Sequence, residues 1–217
     1  MTPPKKFVGF ENMTAEELFD YNRLEYANSN GAVAYLIRNF YKQLHQIIKP
    51  ELTRINTVLE IGCGCGESSL RIQSILNKQN HKIDFEASDY DTRFVEQLIK
   101  RKYPFSVIQE SVYEMKRRDN EFDLVFFLEV LEHLEEPEQA IKELFRVSKK
   151  YVLISVPNEP IWRLANMARG KYLKDFGNTP GHLNHYNSNQ LIKLVKSWGK
   201  PVRRASPFPW TMVLFEK

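Results

Sequence analysis

Two spacings of apolar positions alternate along the chain, and each predicts a different kind of element. Apolar and β-branched runs predict buried strands at about 57–61, 82–88, 105–109, 121–127 and 151–156. Between these runs, apolar residues at helical spacing predict helices at about 67–77, 91–100 and 137–147. Strand and helix therefore alternate at short intervals, which predicts an α/β fold with a doubly wound parallel sheet.

Residues 1–50 predict an N-terminal helical cap that belongs to the same domain as residues 51–217. After a loose arm over residues 1–12, Thr14 and Glu17 form a capping-box pattern that opens an amphipathic helix. A second helix is predicted from about residue 32 to residue 48, where Pro50 stops it. These helices either cover the sheet or close over a substrate, and three tyrosines would serve in both cases: Tyr21, Tyr26 and Tyr35.

The last third of the chain has a different pattern. Residues 157–186 are rich in Pro, Gly and Asn and predict a long insertion with one short helix at 161–169. A second capping box, from Asn187 to Gln190, predicts a helix that ends near Trp198. Two short segments at 202–205 and 211–215, separated by Pro207 and Pro209, predict two closing strands that form a hairpin at the sheet edge.

The composition limits the number of domains, the kinds of partner and the cellular compartment that we expect for the protein. The 217 residues suit one globular domain, and a net charge of +4 without a basic block disfavours a nucleic-acid partner. No apolar run is long enough to cross a bilayer, and the N-terminus lacks the apolar core of a secretory signal. The two cysteines, Cys63 and Cys65, cannot form a disulfide framework or a four-thiolate zinc site, so we expect the reducing cytoplasm.

A glycine-rich turn follows the first predicted strand. Gly62, Gly64 and Gly66 stand at alternate positions between the strand at 57–61 and the helix that opens at Glu67. A strand, a glycine turn and a helix N-terminus let the backbone approach a ligand closely, which indicates a nucleotide-type cofactor site. The spacing G-x-G-x-G differs from the G-x-G-x-x-G of dinucleotide folds and disfavours a nicotinamide-dependent oxidoreductase.

Glu60 before this turn and Asp89 at the end of the second predicted strand complete a recognisable set. Together with the run FDLVFFLEVLEHLEEPEQAIKEL, they resemble the class I S-adenosylmethionine-dependent methyltransferases. The resemblance extends from Thr57 over nearly all the remaining chain. It implies a seven-stranded Rossmann-like sheet whose last strand is antiparallel, and S-adenosylmethionine as cofactor.

The resemblance also implies which residues meet the cofactor. Asp89 would bind the ribose hydroxyls and Glu60 the ammonium of the methionine tail, and Ser111-Val112 falls where the family reads the adenine. The Asp usual at that place is absent here, which leaves the adenine to backbone groups, the Ser111 hydroxyl or Glu110. The full expected set is Glu60, Gly62, Cys63, Gly64, Gly66, Asp89, Tyr90, Ser111, Val112 and Glu129. Both cysteines are expected to be small turn residues rather than reactive thiols.

The segment from Glu129 to His133 raises the question of a metal. On a helical turn, Glu129, Glu132 and His133 would share one face and could hold Mg²⁺ or another divalent cation. This E-x-x-E-H pattern resembles ubiquinone-pathway O-methyltransferases and small-RNA 2′-O-methyltransferases, in which a downstream His completes the site. Here His182 is the first candidate and His185 the second.

The other interpretation is that these residues brace the loop without a metal. In that case His133, His182 or His185 is the candidate general base, beside Glu129 at the mouth of the site.

The acceptor side has a less specific pattern. Aromatic and basic residues of the insertion would suit an amphiphilic or anionic acceptor, or would simply be solvated: Trp162, Arg163, Arg169, Lys171, Tyr172 and Lys174. We expect a small-molecule acceptor methylated at oxygen, by a monomer or a homodimer. An RNA methyltransferase and a non-catalytic S-adenosylmethionine-binding module are the alternatives, and the Asn/Asp-Pro-Pro-Tyr/Phe motif of base methylation is absent after the fourth strand.

Overall fold

The computed structural model describes residues 12–27 and 31–217, with the side chains of 25–27 excepted. The arm predicted over residues 1–12, apart from Asn12, and the side chain of Tyr26 lie outside this description. The helices are α1 (Ala15–Ala27), α2 (Gly31–Ile48), α3 (Glu67–Leu76), α4 (Thr92–Lys100), α5 (Pro137–Val147), α6 (Ile161–Ala168) and α7 (Ser188–Val195). The strands are β1 (Thr57–Ile61), β2 (Asp84–Asp89), β3 (Ser106–Gln109), β4 (Phe122–Leu128), β5 (Ser148–Pro157), β6 (Lys200–Ala205) and β7 (Trp210–Glu216).

The seven described strands form one sheet in the order β3-β2-β1-β4-β5-β7-β6. The pairs among β1 to β5 are parallel, whereas β7 lies antiparallel between β5 and β6. This order confirms the predicted doubly wound sheet with an antiparallel last strand. Because β1 and β4 are neighbours, the loops after these two strands meet at the carboxyl edge of the sheet, where ligands of such folds bind.

Each face of the sheet is covered by helices and has its own core. Successive strand residues point to opposite faces, so Val58 and Leu124 join one core while Leu59 and Val125 join the other. The first core includes residues of α1 to α4, and the second includes residues of α5 and α7. Coverage on both sides explains why all seven residues of β4 are buried, as its continuous apolar run predicts.

The two N-terminal helices pack against different parts of the first core. In α1, Phe19 is fully buried and lies under the Arg101 guanidinium, 4.5 Å from the ring centroid, while Arg101 also pairs with Asp20 at 3.0 Å. In α2, Phe40 packs edge-on against Trp210 of β7, with ring centroids 5.4 Å apart. Helix α1 thus packs against α4 and α2 packs against the β7 and β6 edge of the sheet, and closure of these helices over a substrate stays a prediction.

Local signals place the helix ends well. Thr14 and Glu17 form the predicted capping box, with Thr14 N donating to Glu17 Oε2 over 2.9 Å and Glu17 N donating to Thr14 Oγ1 over 3.3 Å. The second box, at Asn187 and Gln190, is also present. Helix α7 stops three residues before Trp198, because Trp198 N donates to Val195 O in a turn that precedes Gly199. Among the described residues, no helix has the length and apolarity that a membrane span requires.

Candidate active site

The glycine turn is fastened to the end of the neighbouring strand. Gly62 N and Cys63 N both donate to Ser88 O at the end of β2, over 2.8 and 3.0 Å. Gly66 N then donates to Cys63 O over 2.9 Å and closes the turn before α3. These bonds use the backbone of the turn to join β1 to β2, so the position of Asp89 is fixed relative to the glycines.

The three glycines are required for different reasons, although all have positive φ angles, of 80°, 51° and 80°. A Cβ on Gly62 would collide with the Val130 side chain, and a Cβ on Gly66 would lie 2.7 Å from Leu98 Cδ2. A Cβ on Gly64 would meet nothing within 4 Å. Gly62 and Gly66 therefore allow the turn to pack against the protein itself, and Gly64 is the place where the backbone faces open space.

Asp89 lies directly beside that space. Its Oδ2 accepts a hydrogen bond from Gly64 N over 2.8 Å, and its Oδ1 accepts from Asp91 N over 2.9 Å. Loss of solvent raises the pKa of Asp89 to about 6, against the amide bonds that favour the ionised form. Asp91 caps helix α4 instead, since its carboxylate accepts from Arg93 N. Tyr90, which stands between Asp89 and Asp91 in the chain, is 43% exposed and lies at the edge of the open space.

Glu60 is fully buried in β1 with its hydrogen bonding incomplete. Ser69 Oγ donates to Oε2 and the Ser68 side chain also interacts with the carboxylate, whereas Oε1 has no partner within hydrogen-bond distance among the described residues. Burial raises the pKa of Glu60 to about 7. An unpaired carboxylate oxygen is costly in the interior, so its position behind the glycine turn fits a site that receives a cationic group.

The two cysteines do not face the candidate cofactor space as reactive groups. Cys63 and Cys65 are buried in the first core, and burial raises the pKa of both thiols, that of Cys65 to about 11. Thiols that stay protonated at neutral pH are weak nucleophiles, as expected for small turn residues. The Cys63 amide is also occupied by Ser88 O, so Cys63 offers a ligand no free backbone donor.

The candidate adenine segment follows β3. Glu110 N donates to Asp89 O over 3.0 Å, which brings Ser111 next to the candidate ribose site. Ser111 Oγ accepts from Tyr113 N over 3.3 Å and keeps its own proton to donate, while Val112 packs into the second core. The Glu110 carboxylate pairs with Arg117 at 3.2 Å, so it is not free to meet an adenine, as one of the sequence-based alternatives supposed.

The prediction that Glu129 shares a helical face with Glu132 and His133 is wrong. Glu129 has a φ of 56° and precedes the 3₁₀ turn Leu131–His133, so no helix spans the three residues. The Glu129 carboxylate instead accepts from Ser155 Oγ on β5 over 2.7 Å and from the Trp210 side chain on β7. Burial raises the pKa of Glu129 to about 8. Of the predicted metal ligands, Glu129 is the one outside the compact set described next.

Glu132, His133 and His182 form that set. One candidate ligand atom from each residue lies within 4.8 Å of the others. Glu132 is 2% exposed, its Oε1 lies 3.9 Å from His133 Nε2, and its Oε2 has no partner in the described part of the chain. The His133 and His182 rings meet edge-on with centroids 4.9 Å apart.

Backbone hydrogen bonds bring His182, which follows His133 by 49 residues, to this cluster. Leu183 N and Asn184 N both donate to Glu132 O, over 2.9 and 3.0 Å, and His133 Nδ1 contacts Gly181 O at 2.9 Å. His185 lies outside the cluster, where its Nε2 contacts Asn178 Oδ1 at 2.8 Å. The structure therefore brings together the first of the two downstream candidates and not the second.

The protonation states in the cluster follow from burial. Burial lowers the pKa of His133, and burial together with the nearby His133 lowers the pKa of His182 to about 3. Burial and the neighbouring Glu129 raise the pKa of Glu132 well above its usual range. Both imidazoles are thus neutral at pH 7. Because His133 Nδ1 must donate to the Gly181 carbonyl, the lone pair of His133 lies on Nε2.

An aromatic wall, which the sequence indicated only in part, borders the cluster. Trp162 of α6 stacks on His182 with centroids 6.0 Å apart, and Trp210 lies 5.9 Å from Trp162. Trp162 belongs to the predicted acceptor lining, but Trp210 and Ser155 do not. A single Ser in the apolar run of β5 was the one available signal for Ser155, and nothing local pointed to Trp210.

The basic part of the predicted acceptor lining faces elsewhere. Arg169, Lys171 and Lys174 are exposed on the outside of the insertion. Arg163 is half-buried, and its Nε donates to Phe176 O over 2.9 Å. The acceptor side of the cluster is therefore aromatic, with the cations of the insertion at its outer surface.

The strand order, the glycine turn and the acid at the end of β2 define a class I methyltransferase fold. A family model described as "Methyltransferase domain" matches residues 59–155, from β1 through most of β5. A curated relative found in two strains of Mycobacterium tuberculosis, described as a probable S-adenosylmethionine-dependent methyltransferase, is 27% identical over 165 residues. That match covers 73% of this chain and 55% of the relative, so the chain spans about half the length of the curated relatives it matches.

Solved structures agree on the fold. Magnesium protoporphyrin IX methyltransferase from Synechocystis PCC 6803, solved with bound SAH, superposes with a TM-score of 0.62 at 13% identity, over 87% of this chain and 88% of that chain. A Thermotoga maritima S-adenosylmethionine-dependent methyltransferase, described as a possible histamine N-methyltransferase, gives 0.62 at 17% identity over 94% and 97%. Residues 59–155 therefore match a methyltransferase family model, and the described chain has the class I methyltransferase fold.

Proposed function

We propose that the protein transfers a methyl group from S-adenosylmethionine to an oxygen atom of a small-molecule acceptor. The proposal rests on one contact, between Gly62 of the cofactor turn and Val130 of the segment that contains the acids and His133. This contact supports the proposal because the glycine turn after β1 and the segment after β4, which carry the candidate cofactor and proton-accepting groups, are neighbours.

The residues around the turn fit the proposed cofactor. Gly64 leaves open space in front of the backbone, and Asp89 beside it offers two carboxylate oxygens to ribose hydroxyls. The unpaired Oε1 of Glu60 fits the ammonium of a methionine tail. When bound, S-adenosylmethionine supplies a methyl group that is already activated by the sulfonium. The remaining task of the protein is to align an acceptor, which can contribute roughly 7–11 kcal/mol to catalysis.

An acceptor hydroxyl must lose its proton as it is methylated, and in this proposal His133 accepts that proton. Its Nδ1 donates to Gly181 O, and burial lowers the pKa of His133, so the imidazole is neutral at pH 7 with its lone pair on Nε2. Trp162 and Trp210 provide flat apolar surface beside His182, which favours an acceptor with an aromatic or other planar apolar body.

A divalent cation is the second way to activate a hydroxyl at this place. Glu132, His133 and His182 would hold it, and a bound cation would lower the pKa of an acceptor hydroxyl. Support comes from the donor set, which combines two neutral imidazoles with a buried carboxylate whose Oε2 lacks a partner in the described structure. Glu129, held by Ser155 and Trp210, would lie behind this set rather than in it.

The test is methyl transfer from S-adenosylmethionine labelled with tritium in the methyl group. Phenols, catechols, amines and RNA are offered to the purified protein, and the product is mapped by mass spectrometry. We expect label on a phenol or catechol oxygen, and roughly tenfold or more less label with Asp89→Asn at a cofactor concentration that does not saturate the variant. Label on RNA or on nitrogen would contradict the acceptor assignment. Binding of S-adenosylhomocysteine without turnover on any acceptor would point to a non-catalytic binding module.

A further inference from the structure

Helix α6 has the reverse of the usual polarity of a surface helix. Of its two polar residues, Asn166 is 1% exposed and Arg163 is half-buried, whereas Ile161 and Leu164 are 37% and 56% exposed. Ala168 is exposed as well, and these three apolar residues stand at i, i+3 and i+7, on one face. A helix on the surface of a soluble protein normally turns its polar face outward. The outward face of α6 is apolar along its whole length.

Hydrogen bonds explain why α6 cannot rotate to hide that face. Asn166 Nδ2 donates to Gly177 O over 2.9 Å and contacts Thr179 Oγ1 at 3.2 Å. Trp162 Nε1, on the same side of the helix, donates to Thr179 Oγ1 over 2.9 Å, and its ring stacks on His182. The inward side of α6 is therefore committed to the active-site wall, which leaves the apolar side outside.

The next element extends the exposed apolar surface. After the 3₁₀ turn Leu173–Asp175, Phe176 is 72% exposed, and Leu173 within the turn is 60% exposed. Lys171 N donates to Asn166 O, and Arg163 Nε donates to Phe176 O, both over 2.9 Å, so the turn is tied to α6. Apolar side chains grouped on two joined elements mark an interaction surface, in contrast to isolated exposed residues.

The charged residues of the segment 161–176 indicate which kind of partner would bind this apolar surface. Arg169, Lys171 and Lys174 are exposed beside the apolar residues, and Asp175 is the single acid of residues 161–176. Apolar side chains interspersed with lysine and arginine are typical of segments that lie in the interface of an anionic membrane. A protein partner would need its own complementary acidic and apolar pattern, whereas an anionic bilayer offers both chemistries at every point.

We propose that α6 and the turn after it dock on the surface of an anionic phospholipid bilayer. Leu164, Leu173 and Phe176 enter the boundary between headgroups and acyl chains, and the lysines contact lipid phosphates. The apolar contacts and the charges are both required, because either alone binds a membrane weakly. Docking does not require turnover, so it can be tested apart from methyl transfer. It would place the Trp162 wall of the active site one helix diameter from the lipid.

Sedimentation with vesicles tests this surface directly. The purified full chain is mixed with vesicles of phosphatidylcholine alone or of phosphatidylcholine with one-third phosphatidylglycerol, and the bound fraction is measured against lipid concentration. We expect binding to the anionic vesicles and little to the neutral ones, and release at about 0.5 M salt, where surface charges are strongly screened.

Two double variants separate the apolar from the charged contribution. Leu173→Gln/Phe176→Asn removes apolar area, and Asn suits the left-handed backbone of Phe176, whose φ is 50°. Lys171→Glu/Lys174→Glu reverses two charges. We expect each to weaken binding roughly tenfold or more. The matched controls are Ile99→Gln/Val202→Thr, at apolar positions exposed elsewhere, and Lys193→Glu/Lys196→Glu at the C-terminal end of α7. Both should bind like the wild type.

Three results would overturn the docking proposal. The first is a wild-type chain that stays in solution with anionic vesicles. The second is unchanged binding by either patch variant whose circular dichroism spectrum matches that of the wild type. The third is an equal loss of binding in the control variants, which would show that net charge or general apolarity acts without this surface. Since the charge variant alters only exposed residues, it remains informative if the apolar variant folds poorly.

Discussion

Gly64 donates its backbone N–H to the Asp89 carboxylate over 2.8 Å, and this bond joins the glycine turn to the end of the second strand. Gly64 is also the turn residue whose missing Cβ would meet open space. The acid and the accessible backbone therefore border the same volume. A ligand that fills this volume meets a carboxylate whose position is set before binding, and preorganisation of this kind lowers the entropic cost of recognition.

Replacing Asp89 with Ala should weaken binding of S-adenosylhomocysteine by roughly 10- to 100-fold, because hydrogen bonds to a charged group contribute about 1.5–3 kcal/mol. Isothermal titration calorimetry measures the loss, and circular dichroism checks the fold. Asp84→Ala at the exposed start of β2 is the matched control and should keep wild-type affinity. Unchanged affinity in Asp89→Ala would contradict the ribose assignment.

Gly62 and Gly64 should respond differently to the same substitution. Gly62→Ala forces a Cβ against Val130 at a φ of 80°, so we expect a loss of about 2–4 kcal/mol in the free energy of unfolding. Gly64→Ala has room and should lose about 1 kcal/mol, yet bind S-adenosylhomocysteine roughly tenfold or more weakly. Urea denaturation and calorimetry on both variants give the two quantities. If the folded molecules of both variants lose the same affinity for S-adenosylhomocysteine, the assignment of a packing role to Gly62 and a ligand-facing role to Gly64 is contradicted.

Glu60 makes the stability of the free protein depend on pH. Its pKa is raised from 4.5 to about 7 on folding, so between these pH values the folded chain binds more protons than the unfolded chain. Its contribution to stability therefore falls as the pH rises from 4.5 to 7. Relative to wild type, Glu60→Gln should gain about 2–3 kcal/mol between pH 5 and pH 8. Denaturant unfolding at both pH values measures the gain, and Glu96→Gln on the exposed face of α4 should show none.

His182 and His185 should differ in any reaction that uses the acid and imidazole cluster. His182→Ala removes a member of the cluster and should lower turnover roughly 100-fold, whereas His185→Ala should leave turnover near wild type because His185 faces Asn178. If a cation is used, a chelator removes activity, Mg²⁺ restores it, and Glu132→Ala reproduces the chelated state. Activity that resists chelation would leave His133 as base and exclude the cation.

The apolar runs predicted the strands of the sheet because the pattern of each strand is formed by residues that are adjacent in the sequence. A strand such as β4 is covered on both faces, and its continuous apolar sequence is the direct result. Capping boxes at Thr14 and Asn187 were equally visible, because a cap is made by residues three positions apart. The sequence also predicted that Glu60, the glycines and Asp89 lie at one site. These residues stand at the ends of β1 and β2 and in the turn between β1 and α3, which are consecutive elements of one βαβ unit.

The position of Glu129 could not be predicted in the same way. A helical turn through Glu129 was a reasonable expectation, but Ser155 and Trp210, from strands far along the chain, hold its carboxylate elsewhere. The inverted helix α6 has a similar origin, since its buried Asn166 is satisfied by Gly177 and Thr179. In both cases the hydrogen-bond partners of a polar side chain are distant in the sequence. The local pattern of residues therefore could not predict them.

The sequence by itself determined the doubly wound sheet, its helix ends and the cofactor turn, because each depends on residues close together in the chain. The tertiary structure decided which histidine joins Glu132, which face of α6 is exposed and what holds Glu129. His182 prevails over His185 because two backbone amides after it bind Glu132 O and fix that stretch of the insertion against the end of β4. Such bonds form only once the sheet has brought distant segments together, and the need to satisfy buried polar groups then selects one arrangement.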